Sequence, residues 1–199
     1  MINLYQTMRD IGRIAFPIYC FVLVEGFMRT RNVKKYMGRM LLFAFLSEIP
    51  FDLAFSGKVF YLEYQNVMFT LFWGLVAMYI CQYISTKTNR WYVIWPLMAL
   101  SWMLCAGAAE WMSTDYGAKG VGCIFVLYCF RYIQSLQLIG GALAFTWEMP
   151  APVSFLFIAL YNGKKGADLR CFFYGFYPVH LLILYLISCI LGMGSIAAI

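Results

Sequence analysis

Apolar residues recur along this chain in runs of roughly twenty, the length that lets a helix cross a hydrocarbon core about 30 Å thick while satisfying its own backbone groups. The polar residues are gathered into short joints between the runs. Five stretches predict spanning helices directly: about Ile11 to Met28, Met37 to Phe55, Val67 to Ile84, Tyr92 to Ala109 and the slightly short Gly120 to Tyr132. A sixth closes the chain from about Phe176 to Leu191. Between Gln134 and Tyr161 an apolar-rich stretch is interrupted by Glu148, Pro150 and Pro152. Prolines stop a helix and push the preceding residue out of the α region, so this stretch predicts two short helices joined at Trp147 to Pro152, each about 20 Å long. The expected fold is all-α: a polytopic transmembrane bundle of about eight spans, two of them short, forming a single integral membrane domain over residues 1–199.

Composition sharpens that picture. Of 199 residues, 63% are hydrophobic and 12% charged, far from what a soluble surface requires. Tyr and Trp gather where apolar runs end, at Tyr61, Tyr64, Trp91, Tyr92, Trp111, Tyr116 and Trp147, as an interfacial belt does. Eleven of the fifteen Lys and Arg fall on alternate joints: Arg29, Arg31, Lys34, Lys35 and Arg39, then Lys87 and Arg90, then Arg131, then Lys164, Lys165 and Arg170. The other four are Arg9, Arg13, Lys58 and Lys119. The positive-inside rule then puts the N-terminus outside and the Arg29 to Arg39 joint in the cytoplasm of a multi-pass cell-membrane protein. The net charge of +6 reports topology and anionic lipid headgroups, so the expected partner is the bilayer and not nucleic acid. The seven Cys form no Cys-x-x-Cys pair and read as small buried hydrophobes. With one His, no metal site is expected.

Ionisable side chains inside such helices cost at least about 2.5 kcal/mol near the centre, so each needs a partner, a wet cavity or a task. Glu25 and Arg13 lie near opposite ends of the first span. Glu48 and Asp52, four apart in the second, share a face with Pro50 between them. His180 follows Pro178 in the last span, a little over a turn from its start. Depth sorts these residues into an inner group of Glu25, Tyr177, His180, Asn162 and Lys164, and an outer group of Arg13, Asp52, Gln65, Asn66 and Asp115, with Glu48 between. A structural reading stands beside each: Arg13 with Asp52 as a plain ion pair, Glu25 reaching out to the cytoplasmic cations, His180 as a packed side chain. The turn from Tyr161 to Gly166 is either a positive-inside anchor or a phosphate contact through Asn162, Lys164 and Lys165. Gly74, Gly107, Gly117, Gly120, Gly122, Gly140 and Gly141 read as packing points between helices.

At these residues the sequence resembles the TraX family of conjugal-transfer pilin acetylases, related to the wider class of integral membrane acyltransferases. The resemblance is carried by Ile11-Gly-Arg-Ile-Ala-Phe-Pro-Ile through Glu25-Gly-Phe, then Thr30-Arg-Asn-Val-Lys-Lys-Tyr36 and Ser47-Glu-Ile-Pro-Phe-Asp52. It continues through Gln65-Asn-Val67, Asp115-Tyr-Gly117, Tyr161-Asn-Gly-Lys-Lys-Gly166 and Phe176-Tyr-Pro-Val-His180, covering nearly the whole chain in order. It implies acetyl-CoA as acyl donor on the cytoplasmic side and a peptide N-terminal amine or similar small acceptor. Lys164, Lys165, Asn162, Arg31 and Lys34 would hold the donor's phosphates. His180, Glu48, Asp52 or Glu25 would take the proton from the attacking group, in a polar core with Arg13, Asn66, Asp115 and Tyr177. The family pattern places a further hydrophobic helix with an Asp-His pair before the Ile11 segment; the resemblance here begins without it, which leaves room for an inactive form. Two other functions suit intramembrane carboxylates: a proton-coupled transporter, disfavoured because no inverted repeat is visible, and a non-enzymatic accessory protein.

Overall fold

Asparagines start two of the helices. The Asn32 side chain accepts from the Lys35 amide at 2.9 Å and opens α2, Val33–Ser56. Asn66 does the same for α3, Val67–Lys87, accepting from the Met68 amide at 2.9 Å. Gly57 then ends α2 in the left-handed region, φ 67°, where its amide returns to the Leu53 carbonyl. The remaining elements of this computed structural model are α1 (Ile2–Arg29), α4 (Trp91–Trp111), α5 (Gly117–Cys129), α6 (Gln134–Ala144), a 3₁₀ turn (Ala151–Val153), α7 (Ser154–Ala159) and α8 (Arg170–Ile190). The structure describes the backbone of residues 2–164 and 170–190 and the side chains of 10, 12–164 and 174–190. Among these residues the protein is all-helical, with no strand beyond a single bridge between Gln65 and Thr114.

Helix α3 lies at the centre, packed on α1, α2, α4 and α5; α6, the 3₁₀ turn and α7 close over α5 and α1, and α8 lies along α2. Leu75, Met78, Ile124, Leu127 and Val24 are fully buried where these helices meet. Small residues let the backbones approach: a Cβ on Gly74 would stand 2.5 Å from Ile124, one on Gly120 would stand 2.7 Å from Thr70, and one on Gly141 would overlap the Phe155 ring. Gly107 and Gly122 correct the expectation, because both face open space with no atom within 4 Å.

The helices depart from the sequence reading chiefly at the ends of the chain. Helix α1 starts nine residues before Ile11, and α8 starts six residues before Phe176, so His180 lies ten residues into its helix instead of a little over a turn. The two short helices are shorter than expected: α6 has 11 residues and α7 has 6, roughly 16 Å and 9 Å, because residues 145–150 form a run of turns. Among the described residues, α3 and α4, each of 21 residues, are long and apolar enough to cross a membrane.

Candidate functional site

The carboxylates of α2 meet the connection that starts α3. Asn66, fully buried, spends its amide oxygen on the Met68 amide, while its Nδ2 donates to the Ala44 carbonyl at 2.8 Å and to Glu48 Oε2. Four residues on, Asp52 Oδ2 accepts from the Tyr61 amide at 2.7 Å as the 57–66 connection folds back over the end of α2. The second oxygen of each acid, Glu48 Oε1 and Asp52 Oδ1, is buried with no hydrogen-bond partner. Among the described residues neither acid has a Lys or Arg within salt-bridge distance.

The 112–116 connection completes the cluster. The Gln65 amide donates to the Ser113 carbonyl at 3.0 Å, and the Asp115 amide returns to the Gln65 carbonyl at 2.8 Å, which ties the two connections together. Tyr64 donates its hydroxyl to Asp115 Oδ1 at 2.7 Å, and Thr70 on α3 donates to the Asp115 carbonyl. Burial raises the Asp115 carboxyl above its ordinary value. Burial first, and the Asp115 charge second, push the Tyr64 phenol well above its own. Tyr177 on α8 reaches the same place, within electrostatic range of Asp115, Glu48 and Tyr64 and beside the Val67 backbone. Its expected place in the inner group is therefore corrected: α8 enters six residues earlier, which carries Tyr177 deeper.

Arg13 belongs to this end of the bundle but not to Asp52. Its Nε pairs with Glu148 at 2.6 Å and its Nη1 reaches the Met149 carbonyl at 3.4 Å, joining α1 to the α6–α7 connection. The alternative of an Arg13–Asp52 pair is thus replaced. Phe16, one turn along, stacks on Tyr116 with centroids 3.7 Å apart.

At the other end, Glu25 pairs with Arg29 at 2.8 Å and accepts from the Tyr161 hydroxyl at 3.2 Å, while the Arg29 guanidinium lies 5.9 Å from the Tyr161 ring. Asn162 Oδ1 accepts from the Lys164 amide at 3.0 Å in a tight turn whose Gly163 has φ 70°. Arg31, Lys34, Asn162 and Lys164 are exposed there, and Lys165 lies outside the described residues. Glu25 is accordingly held by Arg29 and Tyr161, apart from the α2 acids. His180 touches none of the four acids: its Nδ1 faces the Phe176 carbonyl at 3.0 Å and its ring stacks on Phe176. An apolar cavity of about 360 Å³ between α3 and α4, lined by Trp73, Ile80, Leu100 and Leu104 among others, involves no carboxylate.

Sequence reasoning missed Tyr64, Thr70, Tyr161 and Glu148 as site partners. Glu148 carried a signal, since an acid in an apolar run needs a cation, and Arg13 is one of the four cations outside the alternating set. Tyr64 and Thr70 flank Asn66 by two and four residues but are ordinary in sequence.

These features define a helical bundle with a cluster of half-buried and buried acids at one end, exposed cations at the other, and two helices of membrane-crossing length. The family model described as TraX protein matches residues 2–188, and the chain belongs to that family. A relative named probable fimbrial assembly protein FimC, serogroup H1, from Dichelobacter nodosus, is 33% identical over 210 residues, covering 90% of this chain and 82% of its own length. No solved structure matches this chain.

Proposed function

We propose that this protein is a multi-pass membrane acetyltransferase that passes an acetyl group from acetyl-CoA, taken at the cytoplasmic face, to the amine of a peptide N-terminus or a similar small acceptor. The observation that carries the reading is the cluster of Glu48, Asp52 and Asp115, the first and last half-buried and Asp52 buried, in an otherwise apolar bundle. Unused charge at that depth is costly, and a proton acceptor poised for an amine has use for it. Membership of the TraX family and the fimbrial-assembly name of the 33% identical relative support a peptide acceptor.

The bilayer is the proposed solvent of the whole bundle. Its outer surface supports this with Trp95 60%, Leu104 65%, Ile139 60% and Leu156 71% exposed, residues that lipid and not water would cover. The Lys and Arg alternation supports an N-terminus on the outer side.

The cations fit the donor in kind. Arg31, Lys34 and Lys164 are exposed and, among the described residues, free of ion pairs, while Arg29 is spent on Glu25. Glu48 lies fifteen residues into α2, about 22 Å from its start, so the donor's thioester would reach it on an extended arm. In the transfer, an acceptor ammonium gives one proton to Glu48, and its nitrogen attacks the thioester carbonyl carbon. The C–N bond forms as the C–S bond breaks, and a second nitrogen proton goes to the departing thiolate. Glu48 serves as base in preference to His180 because His180 touches no other site residue but Tyr177. Vesicles of known orientation test the reading: labelled acetyl transfer is expected when acetyl-CoA is offered on the Arg31 face and not on the other, and transfer from either face, or from neither, contradicts it.

A further inference from the structure

Each donor that reaches the acid cluster is spent on one partner set, and the Ser47 hydroxyl, buried beside Glu48 on α2, bonds to neither acid. Asn66 Nδ2 serves the Ala44 carbonyl and Glu48 Oε2, the Tyr61 amide serves Asp52 Oδ2, and the Tyr64 hydroxyl serves Asp115. Two oxygens are left over, Glu48 Oε1 and Asp52 Oδ1, on acids one helical turn apart on one face of α2. Asp52 is 2% exposed. A buried acceptor without a donor costs about 1 to 3 kcal/mol, and here two lie on acids four residues apart on α2, with no cation of the described residues in salt-bridge reach. What the pair lacks is a compact positive group with at least two N–H bonds.

We propose that Glu48 Oε1 and Asp52 Oδ1 together seat the ammonium group of a primary amine, entering from the side of the 57–66 and 112–116 connections. This rests on the acetyl-transfer reading only for calling that amine the acceptor; the seat itself stands on the two unpartnered oxygens. Two acids suit the task better than one. Together they hold the amine in its charged form as it leaves water, and one can then keep the first proton while the other still holds a remaining N–H. The exposed acids Glu63 and Glu110 have partners in the Tyr61 hydroxyl and the Ala118 amide and offer no such seat.

The test needs no acetyl-CoA. Trialanine amide with a free amine, and its N-acetyl twin, are titrated into the full chain in detergent micelles. The free amine is expected to bind at least tenfold tighter than the acetylated peptide. Glu48→Gln and Asp52→Asn are each expected to abolish that preference and Glu63→Gln to keep it. Equal binding of the two peptides overturns the proposal, as does a preference that survives both substitutions. Should either variant fail to fold, difference infrared spectra of the unaltered protein decide: buried carboxyl bands move with the free amine and not with its twin, and unmoved bands overturn the seat. Amine binding without any acetyl transfer would leave the seat standing and remove the acetyltransferase reading; transfer without amine preference would do the reverse.

Discussion

Asn66 holds Glu48. One side chain caps α3 through its oxygen and crosses to α2 through its nitrogen, so the start of one helix and the aim of an acid on another depend on the same residue. Asn66→Ala removes the cap and strands Glu48 Oε2 and is expected to cost about 2 to 4 kcal/mol. Asn66→Ser keeps a cap oxygen and recovers about 1 kcal/mol of that loss, without restoring the Glu48 contact. Thermal melting in detergent micelles measures both; equal losses would show that the cap contributes nothing.

The Arg13–Glu148 pair ties α1 to the α6–α7 connection, with side chains 23% and 19% exposed. Loss of either charge is expected to cost about 1 to 3 kcal/mol, between the values for surface and fully buried pairs. A double-mutant cycle with Arg13→Ala and Glu148→Gln should show a coupling well above additivity. Strict additivity would mean that the pair contributes no coupling energy.

Where two helices cross at close backbone approach, an added Cβ must displace its neighbour. Gly141→Ala, which meets Phe155 and Leu127, is therefore expected to destabilise by about 1 to 3 kcal/mol. Gly107→Ala and Gly122→Ala, facing open space, should change stability little or improve it by helix propensity. Melting of the three variants checks the contrast.

The sequence made most of the bundle legible because runs of apolar residues and the prolines between them have few other physical meanings. Val67 to Ile84 and Tyr92 to Ala109 fall inside α3 and α4 to within a few residues. Glu48 and Asp52 stood out as acids within an apolar run, and Asn66 and Asp115 as polar residues at the joints beside such runs. What the sequence withheld was pairing. Whether Arg13 meets Asp52 or Glu148 depends on how the α6–α7 connection folds over α1, and neither partner changes the hydropathy pattern. Tyr177 was placed by counting from Phe176, and the apolar pattern does not reveal that α8 extends back through the polar residue Arg170.

Tyr64 supplies a pH signature. Its phenol keeps its proton in the fold well above the ordinary value, near 10, that it has in the unfolded chain. Its stabilising contribution is thus complete below about pH 10 and is lost as pH rises through the folded value. Between roughly pH 10 and 12 the unaltered protein should lose melting temperature more steeply than Tyr64→Phe. Parallel curves would contradict a Tyr64 phenol raised in the fold.

The central claim is acetyl transfer at the α2 acids. The most direct measurement reconstitutes the full chain in proteoliposomes with labelled acetyl-CoA and trialanine amide, and follows label into the peptide for the unaltered protein and for Glu48→Gln. Labelled N-acetyl peptide is expected from the former, with a fall of about a hundredfold or more in the latter, the scale of a lost general base. No label from the unaltered protein, or an equal rate in Glu48→Gln, would contradict it.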